Sequence, residues 1–160
     1  MRVTSAAVTS LCLSVGISLF ALYGQDARKT QTSVWDGVYT ADQAKHGQAL
    51  YNNSCFSCHG ADLSGDDEDP PIAGPEFLAK WNGKTADDLF EKIQRTMPSG
   101  HANTLPREST RDILAYILSQ NAFPAGANEL PVDPGKLTQI RFDASKPPAH
   151  FQQPSAPQLP

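Results

Sequence analysis

The chain has 160 residues, 39% of them hydrophobic and 19% charged, with a formal net charge of -4. That length fits one domain, hardly two, and the mild acidity excludes the basic footprint of a nucleic-acid binder. Three cysteines are too few to staple a small disulfide scaffold.

Arg2 is followed by an uncharged run from Val3 to Tyr23 that holds Leu11, Leu13, Val15, Ile17, Leu19, Phe20 and Leu22. A short positive start before an apolar run reads as a secretory signal over residues 1–24. As a helix rising ~1.5 Å per residue the run would reach about 31 Å, so an uncleaved membrane anchor is the alternative. Thr4, Ser5, Thr9, Ser10, Ser14 and Ser18 dilute its apolarity and favour cleavage. Cys12 is an apolar filler inside this run. On either reading the rest of the chain is expected outside the cytoplasm, periplasmic or otherwise exported, in an oxidising compartment.

Residues 25–37 are polar and lack apolar periodicity, which reads as a linker. Three helices are expected between residues 38 and 122. The first starts at Thr40 with Gln43 as its capping-box partner, and Ala44, Gly47, Leu50 and Tyr51 form its stripe. The second starts at Thr85 with Asp88 in the same role, and Ala86, Leu89, Phe90 and Ile93 fall on one face. The third starts near Pro106, a good first-turn residue, and Ile113, Leu114, Tyr116, Ile117 and Leu118 make it the most buried. The stretch from Asp62 to Lys80 is proline-rich and without period, so a loop is expected. Residues 123–144 read as an irregular strap and 145–160 as a proline-rich disordered tail. The fold class is all-α, with three main helices. So small a core is marginal without help, and a large apolar cofactor inside it would supply the missing buried surface.

The motif that decides the chemistry is Cys55-Phe56-Ser57-Cys58-His59. Two cysteines three apart can each form a thioether to one of the two vinyl groups of a single haem, and the adjacent histidine then reaches the iron. The pattern reads as c-type haem attachment. A thioredoxin-like redox pair would follow a strand and open a helix, whereas this pair closes one. A structural zinc site would need a second pair of ligands. The second axial ligand must come from elsewhere. Met97, the only methionine besides Met1, is the leading candidate, because it follows the second helix and precedes Pro98. The competing reading is a core methionine. His101 is the rival in the same loop, and His46 and His150 keep bis-histidine ligation open. Trp81 is expected either to donate its indole N–H to a haem propionate or simply to pack in the core. Asp62, Asp66, Asp67, Glu68 and Asp69 form an acidic loop, read as solvated, with a docking patch for a basic partner as the sharper alternative.

On these residues the chain resembles the small class I c-type cytochromes, a family of soluble electron carriers, over about Thr40 to Asn121. The family's glycine and aromatic four apart on the first helix are matched by Gly47 and Tyr51, and its aromatic on the last helix by Tyr116. Its P-x-L-x-G stretch is matched by Pro70-Pro71-Ile72-Ala73-Gly74, with isoleucine for leucine. The resemblance implies that the Pro70 carbonyl accepts a hydrogen bond from the His59 imidazole. It further implies one covalent haem c with its iron, held by Cys55 and Cys58 and ligated by His59 and Met97. The flanks resemble those of bacterial cytochromes that accompany, or are fused to, quinoprotein dehydrogenases.

The function implied is an exported monohaem carrier of single electrons, with no catalytic residue of its own. Its partners would be redox proteins, such as a quinoprotein dehydrogenase or a terminal oxidase, and no nucleic acid; membrane contact would come only through an uncleaved N-terminal segment. Alternatives are a haem subunit of such a dehydrogenase, or a haem enzyme or sensor with an exchangeable sixth ligand.

Overall fold

A computed structural model describes residues 31–146. The expected signal or anchor, Cys12, the first part of the linker, His150 and the tail beyond residue 146 lie outside the described residues. Among those described, no helix is long and apolar enough to cross a membrane.

The elements in chain order are β1 (Thr32–Ser33), a 3-10 turn (Val34–Asp36), α1 (Ala41–Ser54), α2 (Phe56–His59), α3 (Gly74–Trp81), α4 (Ala86–Thr96), α5 (Arg107–Gln120), α6 (Pro134–Leu137) and β2 (Ile140–Arg141). The class is all-α with one two-residue parallel strand pair.

Local chemistry sets the helix starts. Thr40 Oγ1 accepts from Gln43 N at 3.2 Å while Gln43 Oε1 accepts from Thr40 N at 3.2 Å. Thr85 and Asp88 make the matching box on α4. Each box satisfies two amide donors that the first turn leaves without a helical partner.

The first and last long helices cross in contact. A Cβ on Gly47 would overlap the carbonyl of Asp112 on α5, so glycine is required for the approach. One turn further on, the rings of Tyr51 and Tyr116 meet at 5.2 Å between centroids. Asp112, almost fully buried, is held by Arg111 Nε at 2.8 Å and by His46 Nδ1 at 2.7 Å.

Three sequence expectations differ from the structure. The loop expected over Asp62–Lys80 ends in α3. Pro75 sits in the first turn of that helix, where its missing N–H costs nothing, and Phe77, Leu78 and Trp81 carry its apolar side. The linker expected over 25–37 is already fold from Thr32. That residue pairs with Ile140, and Ser33 pairs with Arg141. Trp35 donates its indole N–H to Asp143 O at 2.8 Å. The strap over 123–144 contains α6, capped by Asp133, and contributes Phe123, Leu130, Leu137, Ile140 and Phe142 to the core.

The strap is sewn on by side chains. Leu130 N donates to Gln43 Oε1 at 2.8 Å, and Gln43 Nε2 returns a bond to Leu130 O at 3.2 Å. Tyr39 OH donates to Phe123 O at 2.7 Å. Phe142 stands among Phe77, Trp81 and Phe123, with centroids 6.0–6.2 Å away.

Two stability predictions follow from this packing. Gly47→Ala should lower stability by about 1–3 kcal/mol, because α1 and α5 must separate to admit the methyl group. Denaturant unfolding of the haem-loaded protein measures it, and an unchanged midpoint would contradict the close approach. The second concerns Asp87, whose Oδ1 is buried without a hydrogen-bond partner among the described residues. Burial raises its carboxyl above the ordinary value, with Glu91 and Asp88 adding to the effect. The folded state therefore holds this proton more tightly than the unfolded chain. The contribution is present below the ordinary carboxylate range and is lost as pH rises through the raised value. Asp87→Asn should accordingly gain about 0.5 kcal/mol at pH 7 after solvent screening and nothing at the acid end. A gain that did not vary with pH would point to another cause.

Candidate functional site

The attachment motif is placed by a change of direction at the end of α1. Cys55 closes α1 by donating its N–H to Tyr51 O at 2.8 Å, and α2 begins at the next residue. Within that short turn His59 N donates to Cys55 O at 3.0 Å. Gly60, at φ +70°, takes the chain out in a backbone region that disfavours side chains. Tyr51 OH donates to Gly60 O at 2.7 Å, so the aromatic at the helix crossing also fixes the exit of the turn.

Cys55, Cys58 and His59 line a cavity of about 290 Å³, close to the lower bound of ~300 Å³ for small-molecule sites. Its apolar wall comes from Phe77 and Trp81 on α3, Leu89 and Ile93 on α4, and Ile113 and Ile117 on α5. Met97 and Pro98 face the same cavity, as do Pro70 and Ile72. The structure therefore brings together Cys55, Cys58, His59, Pro70, Trp81 and Met97.

Cys55 and Cys58 form no disulfide. Burial, then the proximity of Cys58, pushes the Cys55 thiol up to about 11. Asp69, by hydrogen bonding and by charge, pushes Cys58 up as well. A redox dithiol works through a lowered thiol value at a helix N-terminus, and both shifts run the other way. Among the described residues no group of three His, Cys, Asp or Glu side chains is placed to hold a metal ion by itself.

His59 is 6% exposed, and its Nδ1 lies 3.2 Å from Pro70 O. A carbonyl can only accept, so Nδ1 carries a proton, and in the neutral ring Nε2 is the nitrogen with the lone pair. Nε2 has no hydrogen bond among the described residues.

Met97 caps α4, donating its N–H to Ile93 O at 2.9 Å before the backbone turns extended. The loop that it opens is tied back by Gln94. Its Nε2 donates to Leu105 O at 2.8 Å, its Oε1 accepts from Thr110 Oγ1 at 2.8 Å, and its carbonyl accepts from Asn103 N at 3.1 Å. His101 lies in this loop, exposed, at the cavity's edge. His46 is away from the cavity, bonded to Asp112. Trp81 is 9% exposed and stacks near Phe77 at 6.1 Å, with Lys84 Nζ 5.6 Å from its ring centre. Its indole N–H has no hydrogen-bond partner among the described residues.

Asn121, at the end of α5, was not singled out from the sequence. Its buried side chain bonds to the backbone of Ile72 and Gly74, just beyond Pro70. A lone asparagine after a helix reads as an ordinary C-terminal residue, so no local pattern marks this role.

The donor set suits a c-type haem. Two thiols stand three residues apart, an imidazole keeps a free Nε2, a thioether faces the same cavity, and the walls are apolar. Comparison with known proteins points the same way. Residues 42–117 match the family of the cbb3-type cytochrome c oxidase subunit III. The chain is 36% identical over 83 residues to a thiosulfate dehydrogenase of Allochromatium vinosum, covering 46% of this chain and 30% of that protein. It is 29% identical over 90 residues to cytochrome c-551 of Bacillus subtilis, covering 54% and 73%. It is 30% identical over 98 residues to the cbb3-type oxidase subunit CcoP of Rubrivivax gelatinosus, covering 56% and 29%. The chain thus spans less than a third of the length of two of these relatives. Motif, fold and relatives agree that residues 42–117 match a c-type cytochrome domain, consistent with the small class I kind and with covalently bound haem c as its cofactor.

Proposed function

We propose that the domain is a single-electron carrier in which His59 Nε2 and Met97 Sδ take the two axial positions of one haem bonded to Cys55 and Cys58. One observation carries this reading: both thiols, the imidazole and the thioether line a single apolar cavity. When bound, haem c supplies a one-electron ferric/ferrous couple.

The chain's own residues do the rest. Cys55 and Cys58 hold the group to the turn after α1. The Pro70 carbonyl fixes the His59 ring and raises the basicity of Nε2. Gln94 steadies the loop that presents Met97. Leu89, Ile93, Ile113 and Ile117 keep water from the cavity, and a dry site with a thioether ligand favours a high potential. We assign the unengaged indole N–H of Trp81 to a propionate, since a buried tryptophan seeks a partner. With His59 and Met97 both serving as ligands, the iron would offer no place for a substrate, and the domain would pass electrons and leave chemistry to a partner.

The partner is a larger redox protein outside the cytoplasm, such as a quinoprotein dehydrogenase or a terminal oxidase. The apolar run near the N-terminus and the covalent attachment of haem both support export. A second reading, that the domain is the haem module or subunit of such an enzyme, is favoured by its relatives. The chain matches only 30% of a thiosulfate dehydrogenase and 29% of an oxidase subunit. Both readings assign the same task to the cavity.

The ligation is tested by spectroscopy and voltammetry. The oxidised protein should be low-spin, with the weak near-infrared band of methionine-ligated haem. Met97→Ala should abolish that band and lower the potential by on the order of 0.1 V, within the ~0.8 V that axial ligands command. High-spin iron that binds carbon monoxide in the unaltered protein would favour an enzyme or sensor instead. The attachment is tested by denaturation. Cys55→Ala and Cys58→Ala should each retain haem through one bond on a denaturing gel, and the double variant should lose it.

A further inference from the structure

We propose that Asn121 is a positioning residue for the haem-ligand histidine, acting through the Pro70 carbonyl. The inference rests on the reading of His59 as an iron ligand.

Its basis is a gap in the backbone anchoring. The His59 ring is oriented by a single acceptor, Pro70 O. Pro70 and Pro71 have no N–H, so neither can be pinned by its own amide. The nearest anchors downstream are Ile72 and Gly74. Ile72 N donates to Leu63 O at 2.9 Å, which ties the segment to the loop leaving His59. Ahead of the first turn of α3, one side chain supplies the remaining bonds to this segment. Asn121 Nδ2 donates to Ile72 O at 3.2 Å, and Asn121 Oδ1 accepts from Gly74 N at 3.0 Å. The same Nδ2 also donates to Ile117 O at 2.9 Å, inside α5.

Both amide protons and the amide oxygen are therefore engaged, in a residue only 7% exposed. A buried amide satisfied on both sides is rigid, and leaving its partners unpaired is costly. Asn121 thereby couples the double-proline segment to α5, the helix that crosses α1 next to the attachment turn. Without it, Ile72 O and Gly74 N would turn to water, and the Pro70 carbonyl would be held less firmly, by the Ile72 N–Leu63 O and Asp66 N–Asp69 O bonds alone. A weaker bond at His59 Nδ1 lowers the basicity of the ring, which stabilises the ferric state less. The potential should then rise.

The test uses the full-length, haem-loaded protein and three variants. Asn121→Ala removes every bond of the clamp. Asn121→Asp keeps an acceptor for Gly74 N–H but loses the donors to Ile72 and Ile117. Leu137→Ala, in the buried strap and outside the cavity lining, destabilises the fold without touching the clamp. In the ferrous protein, the His59 Nδ1–H proton is followed by NMR exchange with solvent. It should exchange about fivefold faster or more in both Asn121 variants, the factor an ordinary hydrogen bond is worth. Both should also shift the potential upward, while Leu137→Ala lowers the unfolding midpoint and moves neither. Should Asn121→Ala fail to load haem, Asn121→Asp carries the comparison. Wild-type exchange and potential in the Asn121 variants would overturn the proposal, as would equal changes in Leu137→Ala. If the unaltered protein lacks a His59-ligated low-spin haem, the ligand assignment itself falls, and the first spectrum shows that before any variant is made.

Discussion

The contact between the backbones of α1 and α5 is the constraint from which the site is built. At Gly47 the two helices approach until no side chain fits between them and the Asp112 carbonyl. That crossing fixes where α1 ends, and so where Cys55 starts the attachment turn. It also fixes which face of α5 looks inward, so that Ile113 and Ile117 become cavity wall. Tyr51 belongs to both arrangements, packing on Tyr116 and holding Gly60 through its hydroxyl. The buried carboxylate of Asp112 sits beside the contact with two basic partners. A buried charge adds little net stability but is costly to leave unpaired, so such a group narrows the ways in which the helices can meet.

Around that crossing the flanks do what a larger helix bundle would otherwise do. Helices α1, α3, α4 and α5 alone enclose only a small core. The strap brings Phe142 behind Phe77 and Trp81, and Leu130 and Leu137 into the centre. Gln43 serves twice, closing the capping box of α1 and pairing with the backbone of Leu130. Tyr39 likewise spends its hydroxyl on the carbonyl that precedes the strap's first proline. The strap is thus an integral part of the core.

What was legible in the sequence was whatever depends on short-range spacing. Thr40 with Gln43 and Thr85 with Asp88 locate two helix starts because capping is local, and Pro106 marks the third. Cys55, Cys58 and His59 declare their chemistry by being three and four apart. Met97 stood out as a lone thioether before a proline. Other features were hidden because they depend on distant partners. The start of α3 was obscured by Pro75, which breaks a helix interior but suits a first turn. The pairing of Thr32–Ser33 with Ile140–Arg141 joins segments more than a hundred residues apart, too short for any alternating pattern to show. The role of Asn121 follows from which carbonyl and which amide fold against it, and nothing in its neighbours announces that.

The strand pair has a consequence for how such a domain fits into longer proteins. Because β1 and β2 lie side by side, the points at which the chain enters and leaves the described fold are neighbours. A domain with adjacent ends can be spliced into a loop, appended to another domain or handed between genes without prising its neighbours apart. The strand pair itself contributes no residue to the cavity lining. By this route one haem module can travel among proteins of very different length while its haem-binding interior stays the same.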